Sequence, residues 1–171
     1  MIYYVLALIV FILDQITKRL IVVYMNEGDS WSVIGEFFYL TSHRNRGAAF
    51  GILQNQRWFF IIVTSIVVIG IIWYLMKLRK EQSKTLLKVA LGLLLGGASG
   101  NFLDRALFGE VVDFMHFRFQ FPWFGHDVDY SFAIFNLADS AIVIGVALIF
   151  LDSLLSWRKE RRGLVHEQDQ A

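Results

Sequence analysis

Four runs of apolar residues, near 2–25, 58–76, 89–108 and 133–157, divide the chain. A helix rises 1.5 Å per residue, so about 20 residues cross the roughly 30 Å hydrocarbon layer, and each run is of that order. The first run has no basic stretch before it and no small-residue cleavage site after it, so it reads as a retained helix and not a removed signal peptide. Between the runs the pattern shifts toward a period of two. Residues Trp31 to Ser42 are rich in aromatic and β-branched types and are broken by Gly35-Glu36, which predicts a short hairpin, and Asn45-Arg46-Gly47 predicts a turn. Further on, Met115, Phe117, Phe119 and Phe121 alternate with His116, Arg118 and Gln120, predicting a two-faced strand that ends at Pro122, the only proline. The expected fold class is an all-α membrane protein. It is a four-transmembrane-helix bundle with a small extracytoplasmic β platform, one integral membrane domain over residues 1–171, with Trp31, Trp58 and Trp123 near the headgroups.

Composition supports the bilayer as solvent, because 56% of the 171 residues are hydrophobic and only 18% are charged. A net charge of +1 gives no field that would gather nucleic acid, so none is expected as a partner. The absence of cysteine excludes disulfides, a thiolate nucleophile and cysteine-ligated metal, leaving Asp, Glu, His, Ser and Lys to carry chemistry. The placement of charge matters more than its sum. Lys77, Arg79, Lys80, Lys84 and Lys88 face only Glu81 in the loop 77–88, and Arg158, Lys159, Arg161 and Arg162 face Glu160 in the tail 158–171. Basic residues in short loops stay inside, which puts this loop, the tail and both termini in the cytoplasm. The loops 26–57 and 109–132, balanced or acidic, then face outward.

Ionisable groups inside a bilayer cost several kcal/mol each and call for a partner or a purpose. Asp14 and Lys18 lie one helical turn apart, which suits an internal ion pair, whether structural or supporting a site. Gly92, Gly96 and Gly100 form a stripe where a neighbouring backbone can approach. Asn101, Asp104 and Arg105 follow, predicting an Asp–Arg network at the outer end of the third run. Asp113 lies just beyond that end. A fourth helix starting near Ala133 would carry Asn136, Asp139 and Ser140 and bury Asp139 about 9 Å along its axis.

Two carboxylates at short range cannot both ionise freely, so one keeps a proton while the other acts as base, the arrangement that activates water in aspartic proteases. A small four-helix proton or ion transporter would also use buried acids. A metal enzyme is less well supported: His116, His126, Asp127 and Asp129 lack a recognised ligand spacing, and His166-Glu167 is followed by Gln170 where a zinc protease needs histidine. No metal and no cofactor is expected. A serine–lysine protease built on Lys18 has no serine placed beside it.

These blocks resemble those of lipoprotein signal peptidase, or signal peptidase II. The resemblance is carried by Leu13-Asp14-Gln15-Ile16-Thr17-Lys18, Asn45-Arg46-Gly47-Ala48-Ala49-Phe50, the run Gly96 to Arg105, Val111-Val112-Asp113-Phe114, and Phe135-Asn136-Leu137-Ala138-Asp139-Ser140, in that order along nearly the whole chain. It implies an intramembrane aspartic endopeptidase of the bacterial inner membrane with Asp113 and Asp139 as its pair. It places Asp14, Lys18, Asn45, Gly47, Asn101, Asp104, Arg105, Asn136 and Ala138 in or around the site. The implied substrate is a prolipoprotein with diacylglycerol on its cysteine, taken from membrane lipid and cut just before that cysteine, with inhibition by globomycin; apart from the resemblance, a monomer is expected to suffice. Arg46 stands where many relatives have Thr, and residues 120–130 form a longer stretch than usual.

Overall fold

The computed structural model describes residues 1–48, 52–124 and 126–168, with Gln82, Trp123 and residues 162–168 described by backbone alone. Ala49 and Phe50 of the second motif block therefore lie outside the described residues, as does the side chain of Trp123. The elements run α1 (Ile2–Tyr24), β1 (Ser30–Ile34), β2 (Phe38–Asn45), α2 (Arg57–Lys77), α3 (Thr85–Phe108), β3 (Val111–Trp123), β4 (His126–Ser131) and α4 (Leu137–Gln168), with two short 3-10 turns between α2 and α3.

The helices bury and expose their residues in the reverse of a soluble protein. On α1 the buried positions are Ala7, Asp14, Lys18 and Ile21, while Leu8, Ile12, Ile16 and Leu20 are about half exposed. On α2, Ile62, Ile66, Ile69 and Trp73 are more than half exposed. Apolar surface on this scale is stable only in an apolar solvent. Among the described residues three helical stretches, Arg57–Lys80, Thr85–Phe108 and Leu137–Arg161, are long and apolar enough to cross a membrane. The 23-residue α1 has the length too, but its apolar run is interrupted by Asp14, Lys18 and Arg19.

Close approach holds the bundle together. A Cβ on Gly92 would stand 2.8 Å from the Tyr3 carbonyl oxygen, and one on Gly96 would stand 2.6 Å from that of Ala7, so α1 and α3 run side by side in the same direction. A Cβ on Gly97 would collide with the Ala138 carbonyl oxygen of α4. The stripe predicted from sequence, Gly92, Gly96 and Gly100, therefore packs on α1, and Gly97 beside it packs on α4.

Because α1 and α3 run the same way, the segments that follow them emerge at one end, where β1-β2-β3-β4 form a four-stranded antiparallel sheet. The predicted hairpin is present, turning at Gly35 with φ +50. The strand expected to stop at Pro122 instead continues to Trp123, with Pro122 opposite Asp127. Proline is tolerated there because β2 pairs with β3 only as far as Phe117, so Pro122 has no neighbour on that side needing its missing N–H. Ile21, Met25 and Phe114 pack the sheet onto the last turn of α1.

One boundary differs in a way that moves the chemistry. The fourth helix begins at Leu137, not near Ala133, because Phe135 bridges to Met115 through Met115 N–H to Phe135 O at 2.8 Å and Phe135 N–H to Met115 O at 3.1 Å. Asp139 therefore sits in the first helical turn and not about 9 Å along the axis.

Candidate active site

The bridge between Phe135 and β3 fixes the geometry, since it brings the residue before Phe114, Asp113, against the residue after Phe135, Asn136. Asn136 caps α4. Its Oδ1 accepts the Asp139 N–H at 2.9 Å, and Asp139 Oδ2 accepts the Asn136 N–H at 3.2 Å, a reciprocal capping box that locks both side chains. With Oδ1 committed to a backbone N–H, the Asn136 amide nitrogen points outward and donates to Asp113 Oδ1 at 2.6 Å.

Two other asparagines follow the same rule. Asn45 Oδ1 accepts the Gly47 N–H at 2.9 Å, and its Nδ2 donates to Asp113 Oδ2 at 2.9 Å. Asn101 Oδ1 accepts from Lys18 Nζ at 2.8 Å and from Asn136 Nδ2 at 3.2 Å, and its Nδ2 donates to Asp139 Oδ1 at 2.7 Å. In each case the amide oxygen faces a group that can only donate, so the orientation of the amide is dictated and its nitrogen is delivered to a carboxylate.

Behind these amides lies a buried ionic brace. Lys18 Nζ stands 2.8 Å from Asp14 and 2.7 Å from Asp104, with all three side chains nearly inaccessible. Asp14 Oδ1 accepts the Ala138 N–H at 2.9 Å, tying α1 to the start of α4. Asp104 Oδ2 accepts no well-aligned hydrogen bond and rests on the Lys18 charge, while Oδ1 accepts from Gln15 Nε2 at 3.0 Å.

The expected pairing of Asp104 with Arg105 is not what forms. Adjacent helix positions point about 100° apart, so they do not face each other. Arg105 instead donates to the Gly47 carbonyl at 3.0 Å and lies 4.6 Å over the Phe60 ring. Gly47 leaves no room for a side chain, since a Cβ would stand 2.6 Å from the Ile52 carbonyl oxygen.

Asp113 is 2% exposed on β3. Burial, and next the nearby Asp139 charge, push its carboxyl up to about 7, against the opposing pull of the Asn45 and Asn136 amides. Both acids line one cavity of about 590 Å3, with Asn45 and Arg105 at its polar part and Ala48, Val111, Phe132 to Phe135, Ile142, Val143 and Ile144 making the rest apolar. That volume suits an extended peptide segment or a lipid-like group. Among the described residues no group of three or more His, Cys, Asp or Glu is placed to hold a metal ion.

Every site residue named from sequence falls in this assembly: Asp113 and Asp139 at the cavity, three asparagines on them, and Asp14, Lys18, Gly47, Asp104, Arg105 and Ala138 in the surrounding contacts. Sequence reasoning gave no role to Gln15 or Arg57. Arg57 donates to the carbonyls of Arg105 at 2.9 Å and Ala106 at 2.7 Å, capping the last turn of α3 from another helix. Nothing local to α3 could have signalled it.

The model of the family described as signal peptidase (SPase) II matches residues 6–155. The lipoprotein signal peptidase of Bacillus pumilus is 51% identical over 161 residues, 94% of this chain and 97% of that protein. That of Bacillus subtilis is 48% identical over 162 residues, 95% of this chain and 99% of that protein. A bacterial membrane enzyme solved at 2.3 Å superposes with a TM-score of 0.76 at 44% identity, covering 89% of this chain and 87% of its own. Another such structure, at 1.9 Å, gives a TM-score of 0.73 at 44% identity, covering 89% and 92%.

Proposed function

Because the chain belongs to the signal peptidase II family, a family of bacterial membrane proteases that remove signal peptides from prolipoproteins, we propose that Asp113 and Asp139 perform the cleavage. The observation that carries this reading is that the three asparagines deliver their amide nitrogens onto these two acids at the edge of a single apolar cavity.

Asp113 keeps its proton near neutral pH, and Asp139 takes a proton from water as that water's oxygen bonds to the scissile carbonyl carbon. The Asp113 proton passes to the carbonyl oxygen, and the C–N bond then breaks with the amine nitrogen of the lipidated cysteine receiving a proton from the pair. The products are a signal peptide ending in a carboxylate and a mature chain beginning with that cysteine. Asn45, Asn101 and Asn136 hold the acids and remain within reach of developing oxygen charge, a role worth about 3 kcal/mol per preorganised donor. Asp14, Lys18 and Asp104 brace α1, α3 and α4 behind them, Gly47 and Ala138 permit the close approach, and Arg105 holds the loop at Gly47 against the cavity.

The chain as one integral domain crosses the membrane four times, α1 included, since its Asp14 and Lys18 neutralise each other away from lipid. The basic residues of the loop 77–88 and of the tail 158–171 support a cytoplasmic position for that loop and both termini, and with it an outer position for the sheet and the acids. The apolar wall of the cavity would accept the diacylglyceryl chains from lipid, and one copy of the chain contains all the named groups. The transporter reading has no support from the relatives.

The test is cleavage of a diacylglyceryl prolipoprotein by purified enzyme in detergent, with products weighed by mass spectrometry. Wild type releases a product beginning with the lipidated cysteine, whereas Asp113→Asn and Asp139→Asn each lose at least about a thousandfold in turnover. Full turnover by either variant removes that residue from the chemistry.

A further inference from the structure

We propose that the end of the molecule opposite the sheet holds a binding site for one anionic phospholipid, with its phosphate received by Lys88 and Arg79. A second cavity, of about 260 Å3, opens there between the first turn of α1, the end of α2 and the first turn of α3, lined by Tyr3, Tyr4, Leu75, Met76, Arg79 and Lys88. Lys88 is only 6% exposed. An ammonium has three donors and no acceptor, and burying it calls for a counter-charge. Lys88 donates to the backbone carbonyl of Glu81, and its Nζ lies 5.7 Å from the Tyr3 ring centroid. Among the described residues no carboxylate comes within ion-pair reach of it.

The other buried lysine, Lys18, has two carboxylates. What Lys88 lacks, a phosphate diester supplies. Arg79, which also has no ion pair among the described residues, adds a second donor at the rim, and the loop 77–88 sets five cations against Glu81. The occupant is a membrane lipid and not a soluble anion because the pocket is continuous with the lipid-facing surface. Met76 both lines it and is 57% exposed, so acyl chains can leave along α2 while the headgroup stays. Basic pockets between transmembrane helices have this chemistry in common.

Native mass spectrometry of the full chain in detergent, with phosphatidylglycerol and phosphatidylcholine of matched acyl chains, tests the assignment. Wild type is expected to retain one phosphatidylglycerol in preference to phosphatidylcholine. Lys88→Gln weakens that retention by about fivefold or more, Arg79→Gln by less, and Lys88→Arg preserves it. Unchanged prolipoprotein cleavage by Lys88→Gln shows that this variant is folded, and Arg79→Gln carries the test should Lys88→Gln fail to accumulate. Equal retention of the two lipids by wild type, wild-type retention by both glutamine variants, or displacement of the lipid by micromolar inorganic phosphate would each overturn the proposal.

Discussion

Two lysines are buried to nearly the same degree at opposite ends of this bundle, Lys18 at 3% exposure and Lys88 at 6%, and their surroundings differ completely. Lys18 is enclosed by Asp14, Asp104 and the Asn101 amide oxygen, so its charge is balanced by two carboxylates and a hydrogen-bond acceptor of its own chain. Lys88 has a carbonyl, a ring and an open cavity. The difference teaches how to separate a brace from a receptor. A closed charge network fixes neighbouring groups in place, here the Asn101 amide that serves Asp139, whereas a buried cation left short of acceptors has capacity for something outside the chain.

The comparison breaks most directly by removing each cation. Lys18→Met leaves Asp14 and Asp104 buried without a counter-charge and should cost about 3–5 kcal/mol, whereas Lys88→Met strands no carboxylate and should cost under about 1 kcal/mol. Reversible unfolding in mixed micelles measures both, and equal losses would erase the distinction. The next effect lies one bond outward from Lys18. Asn101→Leu keeps the volume but removes the donor to Asp139, so kcat for lipidated substrate should fall about a hundredfold with little change in KM.

Glycine positions sharpen the same contrast through packing. Gly97→Ala drives a methyl into the Ala138 carbonyl beside the acids and should lower stability by about 1–3 kcal/mol. Gly70→Ala meets nothing within 4 Å on α2 and should be neutral or stabilising by about 0.5–1 kcal/mol in thermal melts. The acids themselves enter through the pH dependence of stability. The folded Asp113 carboxyl is raised from an ordinary 3.8 to about 7, so the folded state binds the extra proton and its stabilisation is lost as pH rises through that interval. Wild-type Tm should decline between about pH 4 and 7, and Asp113→Asn should flatten this slope.

Much of this was legible beforehand, for identifiable reasons. Long apolar runs announce helices in lipid whatever their partners, and the order of the motif blocks pointed to Asp113 and Asp139. Three features were hidden because they depend on residues far apart in sequence. The partner of Asp104 is Lys18 on α1, not its neighbour Arg105, and the cap on α3 comes from Arg57 on α2. The start of α4 is set by Phe135 pairing with Met115, although Asn136-Leu137-Ala138-Asp139 has the spacing of a capping box and could have been read as one.

The central claim is that one acid feels the charge of the other across a shared water site. Infrared titration of the protonated carboxyl band in the purified protein tests it, with Asp113→Asn identifying the band. A midpoint at about 7 is expected, moving downward in Asp139→Asn because the Asp139 charge helps to hold that proton. A midpoint at the ordinary 3.8, or one that Asp139→Asn leaves unmoved, would mean that the two acids do not act as a pair.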